Sequence, residues 1–137
     1  MCKKSIPWII ATVLLIAWLS LFFMNRATED LVLGKKIEEL AKSGTTEIPL
    51  SSLTDFDWDQ ALVYGPYTTE DVIEESLNIQ FKGSTHGIES LEDRFLLVFA
   101  KDNHAVKTVP LSRMPGDYSE KNGRLTPEND VLIVTRR

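Results

Sequence analysis

The chain has 137 residues, of which 43% are hydrophobic and 26% charged, and its formal net charge is −5. This length allows one compact domain, and the composition excludes collagen-like, low-complexity and disordered classes. A single cysteine excludes an intramolecular disulfide framework and a zinc site built from several cysteines. The sequence contains no glycine-rich phosphate loop, and we expect no cofactor.

The N-terminus carries an uncharged apolar run of 20 residues, 5–24, which follows Lys3 and Lys4. As a helix, this run is about 30 Å long, which matches the hydrocarbon core of a bilayer. A soluble core helix of this length with basic residues on both flanks is uncommon. We therefore predict that the chain contacts the membrane through residues 5–24 as a transmembrane helix.

A cleaved signal peptide is the main alternative to a retained anchor. Its cleavage site requires small residues, and Asn25 with Ala27 is a poor match. A lipoprotein would need a cysteine just after the apolar run, whereas Cys2 precedes it. We predict an uncleaved signal-anchor over residues 1–27, comprising a cytoplasmic tip and the span.

The short basic N-terminus favours a cytoplasmic start and an extracytoplasmic domain over residues 28–137. This domain contains all 20 acidic residues and 12 of the 15 Lys and Arg residues, so its formal charge is −8. Such a charge argues against nucleic acid and against an anionic lipid surface as partners. We expect another envelope protein as the partner of the domain.

The domain begins with a predicted helix. Thr28 is a suitable N-cap for a helix over 28–43, in which apolar residues recur at helical spacing, and Gly44 suits its end. Residues 45–50 predict a short edge strand, because Pro49 cannot donate a hydrogen bond to a central ladder.

A strand and a second helix follow. Residues 61–64 predict a strand. Thr68 is the predicted cap of a short helix, which would turn three apolar side chains inward: Val72, Ile73 and Leu77.

The second half of the domain is predicted to be mostly strand. Residues 94–100 form a near-continuous apolar run, typical of a central strand covered on both faces, and 104–111 complete a hairpin with it. Residues 114–123 predict a loop and 131–135 a closing strand. The expected fold is therefore α+β: an N-terminal transmembrane helix, then a small domain with an antiparallel sheet of four or five strands and two helices.

The most distinctive motif is D-x-D-x-D, formed by Asp55, Asp57 and Asp59. Carboxylates at this spacing suit Ca²⁺, but an EF-hand loop would need glycine and glutamate where the chain has Gln60 and Pro66. We therefore predict no metal site here, and expect the acids to face water or to bind nearby backbone N–H groups.

Aromatic residues accompany these acids. Phe56 and Trp58 are expected to insert as apolar anchors, whereas the tyrosines further along could line a pocket or an interface. The candidate binding residues from this segment are Asp55, Asp57, Trp58, Asp59, Tyr64 and Tyr67.

The two histidines provide an enzymatic alternative. His86 or His104 could pair with a carboxylate as an acid–base group in an envelope hydrolase. Ser84 lies beside His86 but lacks the strand–elbow–helix context of a nucleophile, and plain surface histidines are the more common case. We predict no catalytic residue.

Two motifs, Phe56-Asp-Trp-Asp59 and Gly65-Pro-Tyr-Thr68, resemble those of an uncharacterised family of small bacterial membrane-anchored or lipoprotein domains. The apolar strand over 95–99 is also similar, and the resemblance covers about residues 45–112. It implies an extracytoplasmic bacterial domain and brings no catalytic residues. Family members with a lipobox cysteine differ from this chain, in which the apolar helix would replace the lipid.

These observations favour a single-pass, membrane-anchored extracytoplasmic domain that binds a protein or peptide of the cell envelope. The alternatives are the hydrolase that uses His86 or His104 and a membrane-anchored immunity protein, a class that is often small and acidic.

Overall fold

A computed structural model describes residues 6–24 and 26–136. The predicted cytoplasmic residues Cys2, Lys3 and Lys4 lie outside the described residues, as does the first residue of the predicted span. Helix α1 covers Ile6–Met24, and its side chains are described for residues 9–18. Taken over the described residues alone, no helix is long and apolar enough to cross a membrane. The described part of the apolar run, Ile6–Met24, is helical, and its crossing of a bilayer stays a prediction.

The remaining described residues form an α+β domain with two sheets, one of four strands and one of three. Its elements are β1 (Thr28–Glu29), α2 (Leu31–Lys42), β2 (Glu47–Pro49), a 3₁₀ turn (Leu50–Ser52), β3 (Gln60–Tyr64), α3 (Glu70–Leu77), β4 (Arg94–Lys101), β5 (His104–Ser112), β6 (Asp117–Glu120) and β7 (Val131–Thr135). The larger sheet has the order β1-β5-β4-β3, and the smaller one has the order β2-β7-β6.

Strand β4 separates two apolar clusters, because successive side chains of a strand point to opposite faces of the sheet. One face packs against α2 and the smaller sheet, and the other against α3 and the chain that follows it. The first face carries Phe95, Leu97 and Phe99, and the second carries Leu96, Val98 and Ala100. The prediction of a central strand covered on both faces is confirmed.

The single antiparallel sheet of four or five strands is a wrong prediction in two respects. The chain forms two sheets, and β1 pairs with β5 in parallel. Both differences come from short strands. Strand β1 lies inside the predicted first helix, and β6 lies inside the predicted loop over 114–123.

Both helices begin later than predicted. Thr28 belongs to β1, and Asp30 is the N-cap of α2, where its Oδ1 accepts the Leu33 N–H at 3.0 Å. The aspartate carboxylate accepts this bond directly and also lies at the positive end of the helix dipole.

The cap of α3 also differs from the predicted residue. Its N-cap is Thr69, whereas the Thr68 hydroxyl donates to the carbonyl of Gly65 at 2.8 Å. Ile73 and Leu77 are buried as predicted, but Val72 is 48% exposed, so its predicted inward orientation is wrong.

Turn chemistry was predicted more accurately. Asp102 and Asn103 both adopt positive φ, at 52° and 67°, between β4 and β5, as the predicted hairpin requires. Strand β2, which ends at Pro49, lies at the edge of the smaller sheet. The predicted closing strand over 131–135 is confirmed as β7, at the centre of that sheet.

Candidate functional site

Phe56 and Trp58 are core anchors, as predicted. Each packs edge-on against Phe99, with ring centroids 5.1 and 5.0 Å apart. Trp58 is 7% exposed, and its indole N–H donates to the Thr54 hydroxyl at 3.3 Å. Its buried ring fixes the segment before β3, so Trp58 is unavailable as a direct contact for a partner.

The three aspartates of D-x-D-x-D have separate surroundings. Asp57 lies 3.3 Å from the Lys101 ammonium, and Asp59 accepts the backbone N–H of Asp102 at 3.1 Å. Asp55 instead lines a separate concavity near the start of α2. Among the described residues, no group of three His, Cys, Asp or Glu side chains could hold a metal ion. The acids thus face water or bind the hairpin turn.

The two tyrosines of the candidate set also differ. Tyr64 is 7% exposed, its hydroxyl lies 2.5 Å from that of Ser76, and burial raises its pKa to about 12. Tyr67 is 57% exposed, has a φ of 67° and donates its hydroxyl to Glu92, a hydrogen bond that raises the pKa of the tyrosine. Only Tyr67 offers a large aromatic surface to a partner.

The six candidate residues do not form one site. Gln60 pairs with Ala100 at one end of β3 and Tyr64 with Leu96 at the other. Asp57 and Asp59 therefore lie at the hairpin end of the larger sheet, whereas Tyr67 lies beyond the opposite end.

A concavity lies between α2 and β5, and we name it the α2–β5 groove. It has a volume of about 340 Å³ and is lined by Leu31, Gly34, Lys35, Glu38, Asp93, Arg94, Pro110, Leu111 and Ser112. A second concavity of about 510 Å³ continues from it through shared Asp93 and Ser112, and includes Glu92, Arg113 and Met114. Tyr67 borders this continuation through its bond to Glu92.

The floor of the α2–β5 groove is apolar and its rim is charged. Leu31 is 54% exposed at one end, and Met114 is 88% exposed at the mouth of the continuation. Lys35 makes no hydrogen bond or ion pair within the described part of the chain. An apolar floor with a few charges at the rim suits binding of a partner side chain or a short segment.

Arg94 is held by several bonds at this rim. Its Nε donates to Asp93 at 2.9 Å, and its Nη1 donates to the carbonyl of His86 at 3.1 Å. The hydrogen bond between the two side chains raises the pKa of Arg94 and lowers that of Asp93. The Arg94 guanidinium is therefore held in position before any ligand arrives.

The β5 edge along the groove is protected against pairing with a further strand. Pro110 has no N–H, and its carbonyl is so close to Gly34 that a Cβ there would lie 3.0 Å from the oxygen. The Ser112 N–H donates to Glu38 Oε1 at 2.7 Å. Because these backbone groups are absent, covered or satisfied, the groove can bind through side chains but not by strand addition.

His86 has the neighbouring carboxylate that the hydrolase alternative requires. Its Nε2 lies 3.7 Å from Glu29 Oε1 and 3.4 Å from the hydroxyl of Thr108. Thr108 is completely buried, and the Ser84 hydroxyl already accepts the backbone N–H of His86. The imidazole thus has a carboxylate neighbour, but the α2–β5 groove does not reach it.

His104 gives no more support to a hydrolase. Its Nδ1 is buried and has no hydrogen-bond partner among the described residues. It begins β5 at the hairpin end, and the α2–β5 groove does not include it.

A comparison of the chain with protein-family models, with curated proteins and with solved structures finds no match. The family resemblance therefore stays a prediction from the two short motifs and the similar strand over 95–99.

Proposed function

We propose that this protein is a single-pass, membrane-anchored domain outside the cytoplasm, and that it binds a segment of another envelope protein in the α2–β5 groove. The observation on which this proposal rests is the surface of α1. Ten consecutive residues, 9–18, are all exposed, and they include Ile, Val, Leu and Trp side chains that are 54–70% exposed.

An apolar helix exposed on every side is unfavourable in water. Ten residues make almost three helical turns, so no face of this stretch is covered by the domain. At about 25 cal/mol per Å² of apolar surface, leaving large side chains in water costs about 1.5–3 kcal/mol each. A bilayer removes this cost, and the uncharged run over 5–24 has the length to cross one.

The proposed orientation rests on charge and on cysteine usage. Lys3 and Lys4 precede the span, and a short basic N-terminus favours the cytoplasm. Residues 28–137 contain no cysteine, so the exported domain would fold in an oxidising compartment without disulfide chemistry.

The α2–β5 groove supports the proposal of partner binding. An envelope segment with an apolar side chain and neighbouring charges would match the apolar floor and the rim residues Lys35 and Arg94. The protected β5 edge predicts that such a segment is recognised by its side chains.

Cysteine labelling in intact cells tests the anchor and its orientation. The natural Cys2 is compared with the pair Cys2→Ser, Glu75→Cys, because Glu75 is exposed on α3. A membrane-impermeant maleimide should label the residue-75 cysteine in intact cells and Cys2 only after lysis. Both proteins should stay in the membrane after an alkaline carbonate wash. Release by the wash, or the reverse labelling, would contradict the proposal.

Photo-crosslinking tests the groove. A photoreactive amino acid at Lys35 or at Met114 should give one and the same crosslinked product in cells, because both positions line the continuous concavity. The matched control position is Glu75, which is exposed but lies on the other side of the larger sheet. A product common to all three positions, or none from the two groove positions, would refute the assignment of the groove.

A further inference from the structure

A very short tether joins α1 to the domain. Ala27 is 6% exposed, and its N–H donates to the carbonyl of Lys82 at 2.6 Å. The next two residues pair with Lys107 and Thr108 of β5. Three peptide steps separate Met24 from Ala27, and an extended chain covers at most about 11 Å in three steps.

This distance places one end of the domain close to the bilayer. The headgroup layer is about 5–8 Å thick on each side of the hydrocarbon core. If α1 crosses the membrane, which is the proposed function on which this inference rests, Ala27 lies at the headgroups or just above them. The surface around Ala27 cannot then face bulk water alone.

We define this surface as the exit end: residues 26–29, residues 80–83, the hairpin segment 101–107, and the two aspartates that contact the hairpin. Gln80 belongs to it because its carbonyl accepts the Ala105 N–H at 3.1 Å. Its cations are Arg26, Lys82, Lys101 and Lys107, and its carboxylates are Glu29, Asp57, Asp59 and Asp102.

The exit end is electrically distinct from the rest of the domain. It has four cations and four carboxylates, whereas the remainder of residues 26–137 has nine Lys and Arg against sixteen Asp and Glu. Asp57 and Lys101 pair with each other, and Asp59 accepts the Asp102 N–H. The Lys107 ammonium lies 5.5 Å from the centroid of the Phe56 ring. Arg26 and Lys82 are exposed beside the tether.

We propose that the exit end is a lipid-binding surface, whose Arg and Lys side chains bind headgroup phosphates while the acidic remainder of the domain points away from the bilayer. Long basic side chains can reach phosphates while their stems stay on the protein, and juxtamembrane cations are attracted to anionic lipids. The acidic net charge of the whole domain argued against an anionic lipid surface, but that charge comes from residues outside the exit end.

Fluorescence quenching in vesicles tests this surface with the full chain. The protein, with Cys2→Ser, carries a fluorophore on Gln80→Cys at the exit end or on Met114→Cys as the matched control. Met114 lies beyond the far end of β5, a strand of 9 residues that is about 30 Å long. The vesicles contain phosphatidylethanolamine, phosphatidylglycerol and a lipid with a spin label on its headgroup.

Quenching at position 80 should exceed that at 114 severalfold, and Arg26→Glu should reduce the quenching at position 80. The matched reversal Lys42→Glu, at the exposed end of α2, should not reduce it. Equal quenching at the two positions would overturn the proposal, and so would equal effects of the two charge reversals. Failure of the protein to float with the vesicles is a separate result, which would contradict the membrane anchor itself.

Discussion

Replacing Glu38 should destabilise the domain through one identifiable hydrogen bond. Its carboxylate accepts the Ser112 N–H at 2.7 Å and is half-buried against β5. A hydrogen bond to a charged group contributes about 1.5–3 kcal/mol. We therefore expect Glu38→Ala to lower the free energy of unfolding by about 2 kcal/mol, and Glu38→Gln, which keeps an acceptor, to lower it by about 1 kcal/mol or less.

The neighbouring Glu39 provides a matched control. It lies on the same helix and is exposed, and its side chain makes no bond within the described residues. Glu39→Ala has the same effect on helix propensity, so it should change the free energy of unfolding by about 0.5 kcal/mol or less.

Urea unfolding in detergent measures this difference. Trp58 reports on the core against Phe99, provided that Trp8 and Trp18 are replaced by phenylalanine in every variant. With a urea dependence of about 2 kcal/mol per M, the Glu38→Ala midpoint should fall by about 1 M. Hydrogen exchange should also speed up at the Ser112 amide. Equal midpoints for the alanine variants of the two glutamates would refute the assignment of this bond.

Three further predictions concern exposed and buried groups. Tyr67→Ala should reduce the yield of the crosslink between the groove positions and the partner. Asp57→Ala, at the other end of the sheet, should leave that yield unchanged. A quantitative crosslinking pull-down compares the two variants. Trp58→Ala should lower the free energy of unfolding by about 3–5 kcal/mol in a thermal or urea melt followed by circular dichroism, and a loss below about 1 kcal/mol would contradict its core role. Burial raises the pKa of Tyr64 and Tyr118 to about 12, above the unfolded value of about 10. The stability that the two neutral phenols contribute is therefore complete below pH 10 and is lost as the pH rises through 12. Tyrosinate absorbance should show both phenols titrating at higher pH in the folded protein than in the unfolded chain.

Patterns that depend on neighbours in sequence were the predictable part of this fold. The apolar run of β4 and the Asp102-Asn103 turn are local signals, and both predicted the structure correctly. The predicted cap Thr28 and the observed cap Asp30 are two residues apart, and both are residue types that commonly cap helices. The structure favours Asp30 because pairing with β5 keeps Thr28 extended.

Short strands were missed because their pairing is tertiary. Strand β6 contains only four residues, Asp117–Glu120, of which Tyr118 alone is buried, and proline and glycine flank it. It becomes a strand because β7 supplies its ladder from residues more than ten positions away. No apolar alternation within four residues can indicate such a partner.

In the candidate site too, local features were predictable from the sequence and long-range features were not. The core role of Phe56 and Trp58 followed from their alternation with aspartates. The α2–β5 groove did not, since residues such as Lys35, Arg94 and Met114 come from three distant parts of the chain. The sequence near these residues shows only charged residues on both sides of apolar ones, a pattern that is common on any helix.

The two-sided burial of β4 has a consequence for how the chain reaches its folded state. Six consecutive buried residues, 95–100, form an uncharged segment of high strand propensity, the kind that self-associates when left unpaired. The tight Asp102-Asn103 turn brings β5 alongside it by closing a very short loop, which forms within microseconds. We expect this hairpin to form early and to shield the segment from other nascent copies. Variants that impair the turn should aggregate during synthesis even when their equilibrium free energy of unfolding is unchanged.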